Sequence, residues 1–194
     1  MDNFAPIVLF VYNRPEHTKR TVESLLNNTL INNSTLFIFS DGPKNDKDLK
    51  NVEEVKDYIR TIKGFDKIEI IEREKNFGLA NSVISGVTQV IESYGKVIVL
   101  EDDMISSPYF LKYMNEVLNF FEYDQRIFSV TGYTFPIKIP EYYKYPVYLS
   151  SRSSSWGWGT WKNRWEKADW EIKDFQSFIN DKSRVESFNK GGDD

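Results

Sequence analysis

A layered α/β domain on a mainly parallel sheet is the fold class that this sequence predicts, and three observations carry the prediction. Short apolar runs rich in β-branched residues recur along the first two thirds of the chain. Stretches with helical periodicity separate them, and each run ends in a polar turn. Strands that alternate with helices in this way imply crossover connections and a sheet covered on both faces.

The elements follow in order. Ile7-Val8-Leu9-Phe10-Val11-Tyr12 is a continuous apolar run, the pattern of a strand buried on both sides. Pro15 suits the first turn of a helix, and Val22, Leu25 and Leu26 supply its apolar face up to the Asn27-Asn28 break. A second strand, Leu36 to Phe39, ends in the turn Ser40-Asp41-Gly42-Pro43. Val52, Val55, Ile59 and Ile62 predict an amphipathic helix from about Asp46 to Thr61, stopped by Gly64.

A third strand fits Ile68 to Ile71. Asn76-Phe77-Gly78 then leads into a helical stripe of Ala80, Val83, Ile84, Val87, Val90 and Ile91. The fourth strand, Val97 to Leu100, runs straight into Glu101-Asp102-Asp103. Pro108 opens a helix with Leu111, Met114, Val117, Leu118 and Phe121 on one face, and Ile127 to Val130 makes a fifth strand. Past Thr134 the pattern changes to Pro136, Pro140, Pro146, a tyrosine-rich stretch, and Trp156-Gly157-Trp158-Gly159-Thr160-Trp161. Trp161, Trp165 and Ala168 share a predicted helical face, and Phe175, Phe178 and Ile179 belong to a short helix. With no internal repeat and no linker, residues 134–194 read as a lobe packed on the sheet within one domain.

Composition narrows the function. The 194 residues are 40% hydrophobic and 28% charged, with a net charge of −4, as in ordinary globular domains. Without a basic run, a nucleic-acid backbone is excluded as the main partner. With no cysteine and a single histidine, disulfides, thiolate nucleophiles and zinc-thiolate sites are excluded, and a reducing cytoplasmic location is expected. The first apolar run lacks a cationic leader and is too short to span a membrane. The ending Lys190-Gly191-Gly192-Asp193-Asp194 closes no element and reads as a cut chain.

In parallel α/β sheets ligands bind beyond the carboxyl ends of the strands, here Asn13-Arg14, Ser40-Asp41, Arg73 to Gly78 and Glu101 to Asp103. Three consecutive carboxylates after an apolar strand repel one another. A divalent cation would offset that repulsion, because magnesium and manganese take one or two protein carboxylates together with substrate phosphates. An acidic loop that caps the next helix is the plainer reading. Arg14 at a helix start is placed to meet a phosphate, and Asp41 to accept hydrogen bonds from a base or ribose. Gly78 allows backbone to approach a ligand or simply packs. The tryptophans, Trp158 among them, suit stacking on sugar rings or core packing. Arg73, Arg152 and Arg164 are candidates for a diphosphate clamp, with a surface ion pair as the default for each.

Taken in order, Val11-Tyr12-Asn13-Arg14-Pro15, Ser40-Asp41-Gly42, Asn76-Phe77-Gly78-Leu79-Ala80, Val99-Leu100-Glu101-Asp102-Asp103 and Trp156-Gly157-Trp158-Gly159 resemble the GT-A glycosyltransferases. The likeness is to the branch similar to N-acetylglucosaminyltransferase I and to bacterial surface-polysaccharide sugar transferases, and it spans about Pro6 to Trp161. It implies a three-layer α/β/α fold, with residues 1–133 as the nucleotide-sugar-binding part and 134–194 as an acceptor-side lobe.

The resemblance also implies roles. Glu101-Asp102-Asp103 becomes the D-x-D-type element, with Asp103 the direct ligand of Mn2+ or Mg2+. Tyr12, Asn13, Arg14, Asp41, Asn76, Gly78, Glu101, Asp102 and Trp158 line a nucleotide-sugar donor, expected to be a UDP-sugar. Transfer to a glycan or lipid-linked acceptor inverts the anomeric carbon, and Asp193 or Asp194 is the expected general base, ahead of Asp169 and Glu166. A peripheral place on the inner face of the cytoplasmic membrane is compatible, though no segment is an amphipathic anchor.

Competing classes fit less well. A sugar-phosphate nucleotidyltransferase should carry a glycine-rich loop where Asn13 to Thr18 stands, and a nicotinamide dehydrogenase lacks its fingerprint glycines. A non-catalytic sugar-binding module would bind glycan without metal-dependent nucleotide binding.

Overall fold

A computed structural model describes residues 4–190. Among these residues six strands form one sheet in the order β3-β2-β1-β4-β6-β5. Strands β1 (Ile7–Val11), β2 (Thr35–Ser40), β3 (Lys67–Glu72) and β4 (Lys96–Glu101) run parallel. Helices α1 (Pro15–Leu26), α2 (Leu49–Ile59) and α3 (Leu79–Tyr94) connect them in turn.

Alternation within the central strands divides the core into two layers. Ile7, Leu9, Leu36, Ile38, Ile98 and Leu100 face one way, against Val22 and Leu25 of α1, Val55 and Ile59 of α2, and Leu111, Met114 and Leu118 of α4 (Phe110–Phe120). Val8, Phe10, Phe37, Phe39, Val97 and Val99 face the other way, against Val87, Val90 and Ile91 of α3 and Trp165. Each such aliphatic side chain, removed wholly from water, contributes about 1.5–3 kcal/mol before ordering costs are subtracted. Chain direction explains the split. From β1 to β3 the strands step one way, and the return to β4 puts α3 on the opposite face when crossovers keep one hand.

The carboxyl-terminal part departs from expectation. The fifth strand shortens to β5 (Val130–Thr131), because Ile127 and Phe128 lie outside the ladder. It does not pair with β4. The strand β6 (Trp158–Trp161) enters between them, antiparallel to both, with Val99 opposite Trp158 and Thr131 also opposite Trp158. Trp161 is therefore a strand residue rather than part of a helical face. It packs in the first core layer and donates from Nε1 to the Leu118 carbonyl at 3.0 Å, while α5 (Lys162–Trp165) starts only after it. Helix α2 ends at Ile59, five residues before Gly64. The expected short helix forms as α6 (Phe175–Asn180), followed by α7 (Lys182–Asn189), capped by the Asp181 carboxylate. Among the described residues no helix is long and apolar enough to cross a membrane.

Arg164 is a second departure. It is 2% exposed, with Nη2 donating to the carbonyls of Phe121 at 3.1 Å and Asp124 at 3.0 Å, Nε donating to that of Ile127 at 3.3 Å, and its plane over the Trp161 ring. It fastens the turn after α4 to β6, so it is neither a surface ion pair nor free to clamp a diphosphate.

Candidate functional site

The site gathers at the carboxyl ends of β1 and β4. From these neighbouring strands the chain moves on in opposite directions along the sheet, toward β2 on one side and toward β5 on the other, which opens a crevice between the loops that follow them. Tyr12, Asn13 and Arg14 come from one loop, and Glu101, Asp102 and Asp103 from the other. Arg14 closes the gap. Its Nη1 donates to Asp103 Oδ2 at 3.1 Å and its Nη2 to Asp102 Oδ1.

The three acids occupy different environments. The Asp102 side chain is 4% exposed, and burial raises its carboxyl above the usual range while the Arg14 charge opposes that rise. Glu101 is half-buried. Burial raises it first, and the neighbouring charges of Asp103 and Asp102 add to the effect. Alternation turns Glu101 to the sheet face opposite Leu100. Asp103 is 44% exposed and borders two clefts.

The larger cleft, about 550 Å³, runs from Leu100 and Asp103 past Met104, Ser107 and Phe110 to Tyr133 and Trp156. Tyr133 and Trp156 meet edge to face, with ring centroids 4.5 Å apart. The loop between β4 and α4 is held from below by Asn28, which is 3% exposed. Its Nδ2 donates to Ser106 Oγ at 3.0 Å, and its Oδ1 accepts from the Leu111 amide at 2.9 Å. The Ser106 amide in turn donates to Ser24 Oγ at 3.0 Å. Ser24 on α1 and Asn28 just beyond its end went unrecognised as supports of this loop in the sequence, where only the apolar face of that helix carries a periodic signal.

On the β1 side, Asp48 organises the loop. It accepts from the Tyr12 hydroxyl at 2.9 Å and from Asn13 Nδ2 at 2.8 Å, and these two hydrogen bonds, in that order, hold its carboxyl below the usual range. The Lys44 amide donates to the Tyr12 oxygen at 2.9 Å. Tyr12 and Asn13 thus fasten residues 44–48 beside the crevice. Nothing in local sequence distinguishes Asp48 from the other charges around it.

Asp41 is buried, and its carboxylate receives the amides of Phe77 at 2.9 Å and Gly78 at 3.1 Å, ahead of the first turn of α3. Gly78 has φ +75° and ψ 156°, a conformation open to glycine alone, and this lets both amides meet one carboxylate. Asn76 holds the same loop, donating to the Gly42 carbonyl at 3.0 Å. A Cβ on Gly42 would stand 2.6 Å from the Glu74 carbonyl oxygen, so the loops after β2 and β3 touch through backbone. Arg73 lies over the Phe77 ring and donates to Ser85 Oγ at 2.9 Å and to Ser82 Oγ, engaged in holding α3.

The structure therefore brings Tyr12, Asn13, Arg14, Asp102 and Asp103 together. Asp41, Asn76 and Gly78 join one another in the adjacent loop. Trp158 lies elsewhere, packed beside Val99 on the α3 face and stacked on Trp165 at 5.8 Å, whereas Trp156, two residues earlier, is 55% exposed and lines the cleft. Asp193 and Asp194 lie outside the described residues. Of the other acids weighed as a base, Asp169 accepts from the Lys173 amide at 2.9 Å, which holds its carboxyl down, and Glu166 lies 3.7 Å from Lys162.

No group of three His, Asp or Glu side chains that could hold a metal occurs among the described residues. The donor set still fits a hard cation of the magnesium or manganese type. Such ions need one or two carboxylates when substrate phosphates and water complete their shell, and Asp103 presents an exposed oxygen donor at the cleft.

A four-stranded parallel core, extended by one antiparallel strand that returns beside an acidic strand end, is the framework of a GT-A fold. The chain belongs to glycosyl transferase family 2, whose pattern matches residues 7–183. No curated protein sequence matches it. Among solved structures it is similar to the mannosyltransferase PcManGT from Pyrobaculum calidifontis, in complex with GDP-Man and Mn2+. The TM-score is 0.49 at 11% identity over 66% of this chain and 34% of that one. It is also similar to S. aureus TarS, with TM-score 0.47 and 12% identity over 61% and 20% of the two chains. The chain thus spans about a third or less of the length of each.

Proposed function

We propose that the chain binds a nucleoside-diphosphate sugar, with UDP as the nucleotide, and passes the sugar to a glycan or lipid-linked hydroxyl with inversion. The observation that carries this reading is the position of Asp103, at the strand switch point, beside Arg14 and at the mouth of an aromatic cleft. Family membership supports the reaction class.

In this scheme Arg14 faces the diphosphate, and the Tyr12 and Asn13 backbone, held by Asp48, borders the nucleoside. Asp41, its carboxylate already bonded to two amides, shapes the base-side loop, and its remaining lone pairs face the base or ribose. Trp156 and Tyr133 present faces on which a sugar ring stacks. Mn2+ or Mg2+, when bound, supplies Lewis-acid neutralisation of the diphosphate leaving group, and Asp103 is the residue that would hold it. Asp102 stays buried against Arg14 and keeps that guanidinium aimed across the crevice. The acceptor hydroxyl gives up its proton to a carboxylate, with Asp193 or Asp194 the candidate. A place at the cytoplasmic membrane surface suits a lipid-linked acceptor and the cysteine-free composition.

Calorimetric titration of UDP, first with manganese and then with chelator, tests the reading. Binding that needs the metal is expected. Absence of nucleotide binding under both conditions, in a folded sample, would replace it with a non-catalytic module.

A further inference from the structure

His17 and Arg20, three residues apart in the first turns of α1, lie on one side of the helix, and Arg14 precedes it as the N-cap residue. Arg14 is spent on Asp102 and Asp103. His17 and Arg20 instead line a second cleft of about 250 Å³ together with Asp103 and Ile105. Asp103 and Ile105 also border the aromatic cleft, so the two spaces adjoin.

Among the described residues, every other arginine has its guanidinium engaged by a carboxylate, a hydroxyl, a carbonyl or an aromatic ring. Arg20 has no such partner, and it points the one unspent guanidinium charge at the edge of the reaction centre. The cleft is smaller than the roughly 300–1,000 Å³ that hold drug-sized ligands. It matches a compact anion. Asp103 is the acid in this cleft, and Arg14 already offsets part of its charge.

We propose that the His17–Arg20 cleft binds a phosphoryl group, as a site separate from Arg14. This rests on the transferase reading given above and extends it. One source of the phosphoryl group is a phosphate or diphosphate carried by the acceptor, and the other is the diphosphate of the donor. Arg20 supplies a planar pair of donors to two phosphate oxygens, and His17 supplies a third N–H.

Titration of inorganic pyrophosphate into the chain, without divalent metal, is the direct test, with Arg20→Ala, Arg20→Lys and His17→Ala alongside. The expected result is saturable binding that weakens about tenfold in Arg20→Ala, the loss of one charge-assisted contact, and recovers in part in Arg20→Lys. Repeating the titration with saturating UDP and manganese separates the sources. Competition assigns the cleft to the donor diphosphate, and undiminished binding assigns it to the acceptor. Pyrophosphate affinity unchanged in Arg20→Ala, or absent from the wild-type chain, would overturn the proposal. UDP binding by the wild-type chain is scored separately, so failure of the transferase reading shows in that titration alone.

Discussion

The guanidinium of Arg14 joins the two aspartates that end β4, donating to Asp103 Oδ2 at 3.1 Å and to the buried Asp102 carboxylate. It links the two loops of the switch point and stands where the proposed donor diphosphate would lie. Arg14→Ala leaves Asp102 buried without its counter-charge. Because Arg14 is itself 43% exposed, water takes up part of the loss, and the cost should be about 1–3 kcal/mol. Urea unfolding of Arg14→Ala, Asp102→Asn and the double variant should show the double less destabilised than the sum of the singles.

Asp41 holds the loop that precedes α3 by accepting two backbone amides. Asp41→Ala leaves both amides without an acceptor and should cost about 1–2 kcal/mol. In a chain of this size that lowers Tm by roughly 2–4 °C per kcal/mol. Thermal unfolding followed by circular dichroism measures it, and Asp41→Asn, which keeps one acceptor oxygen, should fall between.

Lys96 is 4% exposed at the start of β4, with Nζ donating to Asn119 Oδ1 at 2.6 Å, and burial lowers its pKa. A lysine whose folded pKa lies below its unfolded value is penalised by folding wherever it is protonated. The penalty is largest at neutral and acid pH, and it fades as pH rises through the folded and then the unfolded value. Lys96→Met should therefore raise Tm at pH 7, with the gain narrowing toward pH ~10.4, the ordinary lysine value. A gain that grows with pH would contradict the assignment.

Trp156 is exposed in the cleft and carries no core packing. Trp156→Ala should leave Tm within about 1 °C of wild type and UDP affinity unchanged, while sugar transfer or glycan binding falls about tenfold or more through lost stacking. Trp158→Ala should do the reverse, lowering Tm through the cavity beside Trp165.

Much of the parallel sheet is legible in the sequence, because Ile7–Val11 and Val97–Leu100 are apolar throughout and only a doubly covered strand needs that. The insertion of β6 is not. Trp158-Gly159-Thr160-Trp161 has neither a long apolar run nor clear alternation, and its place between β4 and β5 depends on a partner 60 residues away. Trp156 and Trp158 are alike as residue types, and the structure separates them by turning one into the cleft and the other against Trp165. Arg164 read as a surface cation because its partners are carbonyls, which sequence does not advertise. The acidic loop stood out because three charges after a buried strand need an explanation. Its division of roles among Glu101, Asp102 and Asp103 depends on side-chain direction.

The most direct test of the account is the UDP affinity of Asp103→Asn, measured by calorimetry with manganese and with chelator. Metal should enhance UDP binding by the wild-type chain, and the variant, still folded, should lose this enhancement. Equal enhancement in the two proteins would contradict the assignment of Asp103 and, with it, the donor site.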